Sequence, residues 1–402
     1  MDRTVFEIAP GADLFLEAPR ELEALYFFRR QPAGPTARLL AVGDIGFSGR
    51  VGEQGASRGY SCFFEGLQAL FRTGDIVFAN LETPLVCADT ARQMFTGSPE
   101  TAEALAKAGF TLVNVANNHI RDLGAAGLKA TLEALTRAGL LQLGAGLDQA
   151  VSYELIRTDV RGLRVGWFGC AHTRQDQLGS GPYFYKFDLE RLLDSVRRAR
   201  PSVDLLIVSI HAGLMFLDYP KPEDKLAADR LRVAGADLIL MHHAHVLQGV
   251  QADDHGRSIC FNLGNFLFDW QEGNVTADVM VREQQEGAVF LFEFDHTGIC
   301  RAAAVPTYMD SDLAVRWATG QKGRGILDRL ARISSDIEGD YIPLFAAQRA
   351  ERNAGHGLRV VWFHLKRGHL RLVLDLFRKV RLEHCLMLWR WVLGILGGVG
   401  RR

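Results

Sequence analysis

The sequence predicts an α/β fold built on largely parallel strands, and three observations carry that expectation. From Arg38 to about Val305, short apolar runs alternate with amphipathic stretches of helical period, the pattern of strand–helix–strand units. Run after run ends in a polar residue able to bind a metal. The composition, 48% hydrophobic and 23% charged over 402 residues, is enough for a sizeable core and excludes global disorder.

The elements follow in order. Residues 1–36 end in RRQPAGPTA, a Pro- and Gly-containing linker, and are set apart as an N-terminal extension. The runs RLLAVG, DIVFAN, FTLVNVAN, LRVGWFGC, VDLLIVSI and DLILM read as strands. Ala125–Ala138, Leu189–Ala199 and Pro222–Ala234 read as helices between them. SICFNLGNFLF and GAVFLFEF extend the sheet or start a second one, closing a domain over residues 37–305. Residues 306–402 turn to helical patterns rich in Arg and Leu, a C-terminal appendage with a basic tail.

Charge and cysteine usage narrow the function classes. A net charge of −1 excludes a protein whose whole surface binds nucleic acid, and no nucleic-acid partner is expected. The six cysteines have no C-x-x-C spacing, and several sit inside apolar runs, so neither a disulfide framework nor a structural zinc site is expected. The N-terminus lacks a basic segment followed by an apolar core, and no run of about 18 apolar residues occurs, which points to a cytoplasmic protein.

The strand ends carry the chemistry. RLLAVG runs into Asp44, DIVFAN-Leu81 into Glu82, FTLVNVAN into Asn118 and His119, VDLLIVSI into His211, and DLILM into His242, His243 and His245. Ligands of α/β sheets bind beyond the carboxyl ends of strands, so these side chains can converge. Asp, Glu, Asn and His without Cys form a donor set for divalent Mn, Fe or Zn. Each element also has a plainer reading. Gly-Asp after a strand is a common turn, Asn117-Asn118-His119 could cap the helix that begins near Gly124, and His211 could be an ordinary satisfied histidine. Three imidazoles within four positions have little packing rationale, and five strand ends agree.

GDIG, FANLETPL, VANNHIRDLGAAGLKATLEAL, LIVSIHAG, GADLILMHHAHVLQGV and FNLGNFLFD, in this order, resemble the motifs of CapA-type poly-γ-glutamate capsule biosynthesis proteins. These are a branch of the calcineurin-like metallophosphoesterase superfamily, and the resemblance covers about Arg38 to Asp269. It implies a four-layer α/β/β/α sandwich with two divalent metal ions at the strand ends. By the same resemblance Asp44 and His245 serve the first metal, Glu82 bridges, and Asn118, His211 and His243 serve the second. His119 is implied as an acid or charge stabiliser beside the substrate, oriented by Asp122.

The chain departs from the wider pattern in places. Gly46 stands where the superfamily carries a histidine, so the first metal is expected to be held more weakly. His211-Ala212-Gly213-Leu214-Met215 replaces His-Trp-Gly-x-Glu, which alters substrate contacts but not the ligands. The chemistry implied is metal-assisted hydrolysis of a phosphoester or of an amide in an anionic polymer. The alternative is a non-catalytic accessory protein that binds polyglutamate during synthesis or export, among capsule-synthesis partners. The tail adds a second pair of readings. Lys366, Arg367, Arg371, Arg378, Lys379, Arg381 and Arg390 among leucines, with Trp389 and Trp391, suit either a lid on the domain or peripheral contact with the inner membrane face.

Overall fold

The computed structural model describes residues 4–11, 14, 19–87, 95–147, 154–172, 183–269 and 285–353. The chain divides into two compact units, one of Met1–Gln271 with Val281–Gly339, the other of Glu272–Met280 with Asp340–Arg402. In the second unit the described residues include a helix over 342–353. The tail from residue 354, with both of its readings, lies outside the described residues. No helix among the described residues is long and apolar enough to cross a membrane.

The first unit is built in chain order from β1 (Glu7–Pro10), β2 (Glu23–Arg29), β3 (Ala37–Ile45), β4 (Ile76–Leu81), β5 (Leu112–Asn114) and β6 (Leu141–Leu143). Then come β7 (Ala145–Gly146), β8 (Ile156–Val160), β9 (Leu163–Ala171), β10 (Tyr183–Phe184), β11 (Leu205–His211) and β12 (Leu238–His242). The last strands are β13 (Val250–Ala252), β14 (Ser258–Cys260), β15 (Asn265–Leu267), β16 (Glu286–Asp295), β17 (Gly298–Met309) and β18 (Val315–Trp317). One large sheet runs β1-β2-β17-β16-β3-β4-β5-β6, with β15 on β3 and β18 on β17; a second runs β13-β14-β12-β11-β9-β8, and β7 and β10 form a two-stranded pair. The strands that lead to the site, β3–β6 and β9-β11-β12-β14, are parallel within each sheet.

Two residue layers define the packing. Leu39, Phe78 and Leu112 of the larger sheet and Trp167, Ile207 and Leu240 of the smaller one share a single buried cluster, so the sheets lie face to face. Phe78 and Trp167 stack across it with centroids 5.5 Å apart. Burying side chains of this size contributes about 1.5–3 kcal/mol each. The opposite face of the larger sheet, with Val42, Val77 and Val113, is covered by α1 (Gly49–Arg58), α3 (Glu100–Ala108) and α4 (Gly124–Arg137), whereas α2 (Gln68–Phe71) is a single turn. The outer face of the smaller sheet packs against α6 (Pro222–Ala234), which in turn packs on α5 (Leu189–Ala199). The result is the α/β/β/α sandwich.

The helices expected at Leu189–Ala199 and Pro222–Ala234 form over those spans, and the third begins one residue earlier, at Gly124. The strand pattern differs more. β1, β2, β16 and β17 pair antiparallel, so only the strands around the site obey the parallel reading. The segment before residue 36 supplies β1, at the edge of the large sheet, and β2, between β1 and β17. Residues past 305 likewise finish β17 and form β18 and α7 (Gly320–Glu338), whose Ile326, Leu327 and Leu330 enter the inter-sheet core. β2 shows no partner in the sequence because its partner β17 lies far along the chain, with Arg29 opposite Arg301 and Leu25 opposite Ala304.

Candidate metal centre

Strand periodicity explains how the site is placed. On β4, Ile76 and Phe78 face the inter-sheet core, and the next position in that series is Asn80, followed by Glu82 just past the strand end. On β11 the series Leu205, Ile207 and Ser209 ends in His211, and on β12 Leu238 and Leu240 lead to His242. The inter-sheet space is therefore apolar in its depth and polar at the carboxyl ends of the strands. β3 reaches Asp44 through a register shift at Ala41/Asp44. Gly43 is required there, because a Cβ would lie 2.0 Å from the Gly264 carbonyl oxygen.

All six expected ligands converge. Asn118 Oδ1 lies 2.7 Å and His243 Nδ1 3.0 Å from His211 Nε2. Asp44 Oδ2 lies 3.5 Å from His245 Nδ1 and accepts the His243 backbone N–H at 3.2 Å. Glu82 Oε1 sits between the groups, 3.8 Å from His211 Nε2 and 3.6 Å from His245 Nε2. Glu82, His243 and His245 offer one set of donor atoms within 4.8 Å of one another, and Asp44, Glu82 and His211 a second. His119 stands at the edge, its Nδ1 2.7 Å from Asp122 Oδ2 and its Nε2 3.8 Å from Glu82 Oε1. The Phe95 ring stacks on it at 4.5 Å.

The electrostatics suit cations. Both Glu82 oxygens are buried without a hydrogen-bond partner. Burial, with the charges of Asp44 and Asp122, pushes this carboxyl well above the usual range. At Asp44 burial also works upward, but His242, His245 and the His243 N–H hold it below its ordinary value. Burial drives His211 well down, helped by the neighbouring imidazoles, and His243 down to about 4. His245 is lowered by burial as well. The imidazoles are thus neutral at neutral pH, the state in which they can ligate. The residues present fit divalent metal, and the orphaned Glu82 carboxylate is the sharpest sign of it.

Local backbone serves the same end. His243 and His245 have φ values of +97° and +56°, conformations rare for such residues and costing about 1–3 kcal/mol each. Asn265 Oδ1 accepts from His245 Nδ1 at 2.9 Å, turning Nε2 toward Glu82. At Gly46 a Cβ would lie 2.8 Å from the Phe268 ring, whose centroid is 4.7 Å from that of His245. An aromatic ring fills the place where a side chain at position 46 would stand.

Some residues escaped the sequence reading. Asn80 and Asn114 are fully buried beneath the ligands, and Asn265 orients His245. The two asparagines carried a signal, since each continues an inward-facing apolar series where an amide must find a partner. Asn117 does not cap the following helix, whose N-cap is Leu123. It accepts the His119 N–H and donates to the Leu81 and Val115 carbonyls, tying the loop to β4.

A four-layer sandwich with carboxylates and imidazoles at its facing strand ends defines the class, an α/β/β/α protein with a candidate metal centre. Residues 38–270 match the family described as bacterial capsule synthesis protein PGA_cap, and the chain belongs to that family. It is 30% identical over 273 residues to the capsule biosynthesis protein CapA of Bacillus anthracis, covering 63% of this chain and 65% of that relative, just under two thirds of its length. It is 28% identical over 289 residues to the PGA biosynthesis protein CapA of Bacillus subtilis, covering 67% and 73%. A Mycobacterium tuberculosis relative described as a "probable polyglutamine synthesis accessory protein" is 27% identical over 233 residues, covering 52% and 59%. Among solved structures, the 5'-nucleotidase of Candida albicans aligns with a TM-score of 0.41 at 12% identity, covering 78% of this chain and 61% of that one.

Proposed function

We propose that this chain is a metal-dependent hydrolase acting in capsule or polyglutamate biosynthesis, cleaving a phosphoester or an amide bond of an anionic polymer. The observation that supports this most is Glu82, a buried carboxylate without a hydrogen-bond partner, ringed by neutral imidazoles. A carboxylate is expensive to bury in this state unless cations compensate it. Asp44, Glu82 and His245 would hold one divalent ion, and Glu82, Asn118, His211 and His243 the other, with Mn, Fe or Zn suited to the donors. Such ions, when bound, supply a water of lowered pKa and neutralise charge growing on a phosphoryl or carbonyl oxygen.

The chain's own contribution is placement and proton transfer. Asp122 fixes the His119 ring from Nδ1, leaving Nε2 directed at the centre, where it donates a proton to the leaving group. With the Phe268 ring where a side chain at position 46 would stand, Asp44, Glu82 and His245 would hold the first ion with one protein ligand fewer, and its site would be the weaker one. Calorimetric titration should find unequal sites, with His243→Ala removing the tight ion and Asp44→Asn mainly the weak one; equal affinities overturn this asymmetry. We place the protein in the cytoplasm, in peripheral contact with the inner membrane face through its tail.

A second reading has its own support. Ala212 and Met215 stand where the family commonly carries Trp and Glu, and Met215 is 44% exposed. On this reading the metals hold polymer carboxylates without turnover, as an accessory component. Elemental analysis of freshly purified protein, then a metal-replete screen against phosphoester and γ-glutamyl substrates, separates the two. Turnover lost in His119→Ala supports the hydrolase. Tight polyglutamate binding without turnover supports the accessory role.

A further inference from the structure

Beneath the candidate ligands lies a second polar layer that the chemistry above leaves unused. Asn80, Asn114, Ser209 and His242 are each fully buried, with the apolar inter-sheet core below them. Asn80 is the hub of this layer. Its Nδ2 donates to Asp44 Oδ1 at 2.8 Å and lies 3.2 Å from His211 Nδ1. Its own Oδ1 accepts from Asn114 Nδ2 at 2.8 Å, and Asn114 Nδ2 also donates to the Ala116 carbonyl at 2.9 Å. Gly169 on β9 keeps the space open, because a Cβ there would lie 2.5 Å from Asn114 Oδ1.

One amide nitrogen therefore touches a ligand from each sheet, Asp44 at the end of β3 and His211 at the end of β11. Below the level of the ligands the sheets meet through apolar packing, which fixes their separation but is not directional. A centre shared between them needs its donors held to about 0.5 Å. We propose that Asn80, braced by Asn114, is a positioning residue that sets the register of the two sheet ends and so the shape of the metal centre. The inference rests on the metal-binding reading given under the proposed function. It assigns the ligand geometry to this buried amide pair as well as to the ligands themselves.

The test is Asn80→Leu, which keeps the branched shape of the side chain and removes the amide. Metal-free wild type and variant are titrated with Mn²⁺ alone, then loaded to saturation with Co²⁺ for absorption spectroscopy. The variant should bind Mn²⁺ about 10- to 100-fold more weakly, the usual effect of losing an orienting partner. Its cobalt spectrum should shift at saturation, which a merely structural residue would not cause. Should Asn80→Leu fail to fold, Asn114→Ala is read the same way, with a smaller loss and the same spectral shift. Wild-type affinity with a wild-type cobalt spectrum overturns the positioning role while leaving the metal centre standing, as does a lowered melting temperature with both unchanged. A wild-type protein that binds neither ion removes the metal reading and this inference together.

Discussion

Two buried carboxylates of the large sheet have opposite surroundings. Asp295, at the β16–β17 turn, accepts from both terminal nitrogens of Arg30 at 3.0 and 2.9 Å, from the Ala33 N–H at 2.7 Å, and from the Thr297 N–H and hydroxyl at 2.8 and 2.6 Å. The Arg30 guanidinium holds it well below the usual carboxylate range, although burial opposes this. Glu82, beyond β4, has no such partner and is pushed the other way. A carboxylate satisfied by its own chain is a structural clamp, here tying the segment at residues 30–33 to the hairpin. One left without such partners among imidazoles is a candidate cation ligand.

The largest expected effect lies at the edge of the unsatisfied region. His119→Ala should leave metal content near wild type and lower any hydrolytic rate by about 10²–10⁴. His211→Ala should strip metal instead. If elemental analysis finds both variants equally depleted, His119 is a ligand and the division of roles fails.

The satisfied region is tested by Asp295→Asn, expected to destabilise by about 3 kcal/mol in denaturant unfolding with metal content unchanged. Its native carboxyl is depressed, so its stabilisation is complete above the unfolded value of about 3.9 and fades as pH falls below that toward the native value. Between about pH 4 and pH 2 wild type should therefore lose stability more steeply than Asp295→Asn. Parallel acid-unfolding curves would show that the clamp carries no such linkage.

Glu82→Gln should do the reverse. At pH 8 the metal-free variant should be more stable than metal-free wild type by about 1–3 kcal/mol, the penalty of an unpaired buried polar group. Tight metal binding should be lost. A variant less stable than wild type without metal would mean that Glu82 is compensated within the fold, and the contrast with Asp295 would collapse.

The smallest effect concerns the basic tail, which lies outside the described residues. Each basic residue near an anionic surface contributes about 1 kcal/mol, screened by salt. We expect weak, salt-sensitive binding to anionic liposomes, lost on truncation before Leu370 with metal content unaffected. Binding that survives either truncation or high salt would remove the anchor reading.

Much of the centre was legible because strand ends are local features. An apolar run that stops at Asp, Glu, Asn or His announces both the strand and the side chain at its mouth, and Asp44, Glu82, Asn118, His211, His243 and His245 meet as that pattern requires. Asn80 was not legible in the same way. It sits inside FANLE two positions before Glu82, and its importance comes from partners 36, 34 and 131 residues away. The same holds for β2, whose pairing with β17 joins segments far apart in the chain.

The sequence by itself determined the parallel strands, their helices and the donor residues at their ends, since periodicity and residue chemistry act over a few positions. Only the tertiary structure decided which carboxylate is satisfied and which is not. Asp295 finds Arg30 because β2 pairs with β17 beside the hairpin, and Glu82 finds imidazoles because the two sheets pack face to face. Burial then turns that difference in neighbours into opposite shifts in acidity.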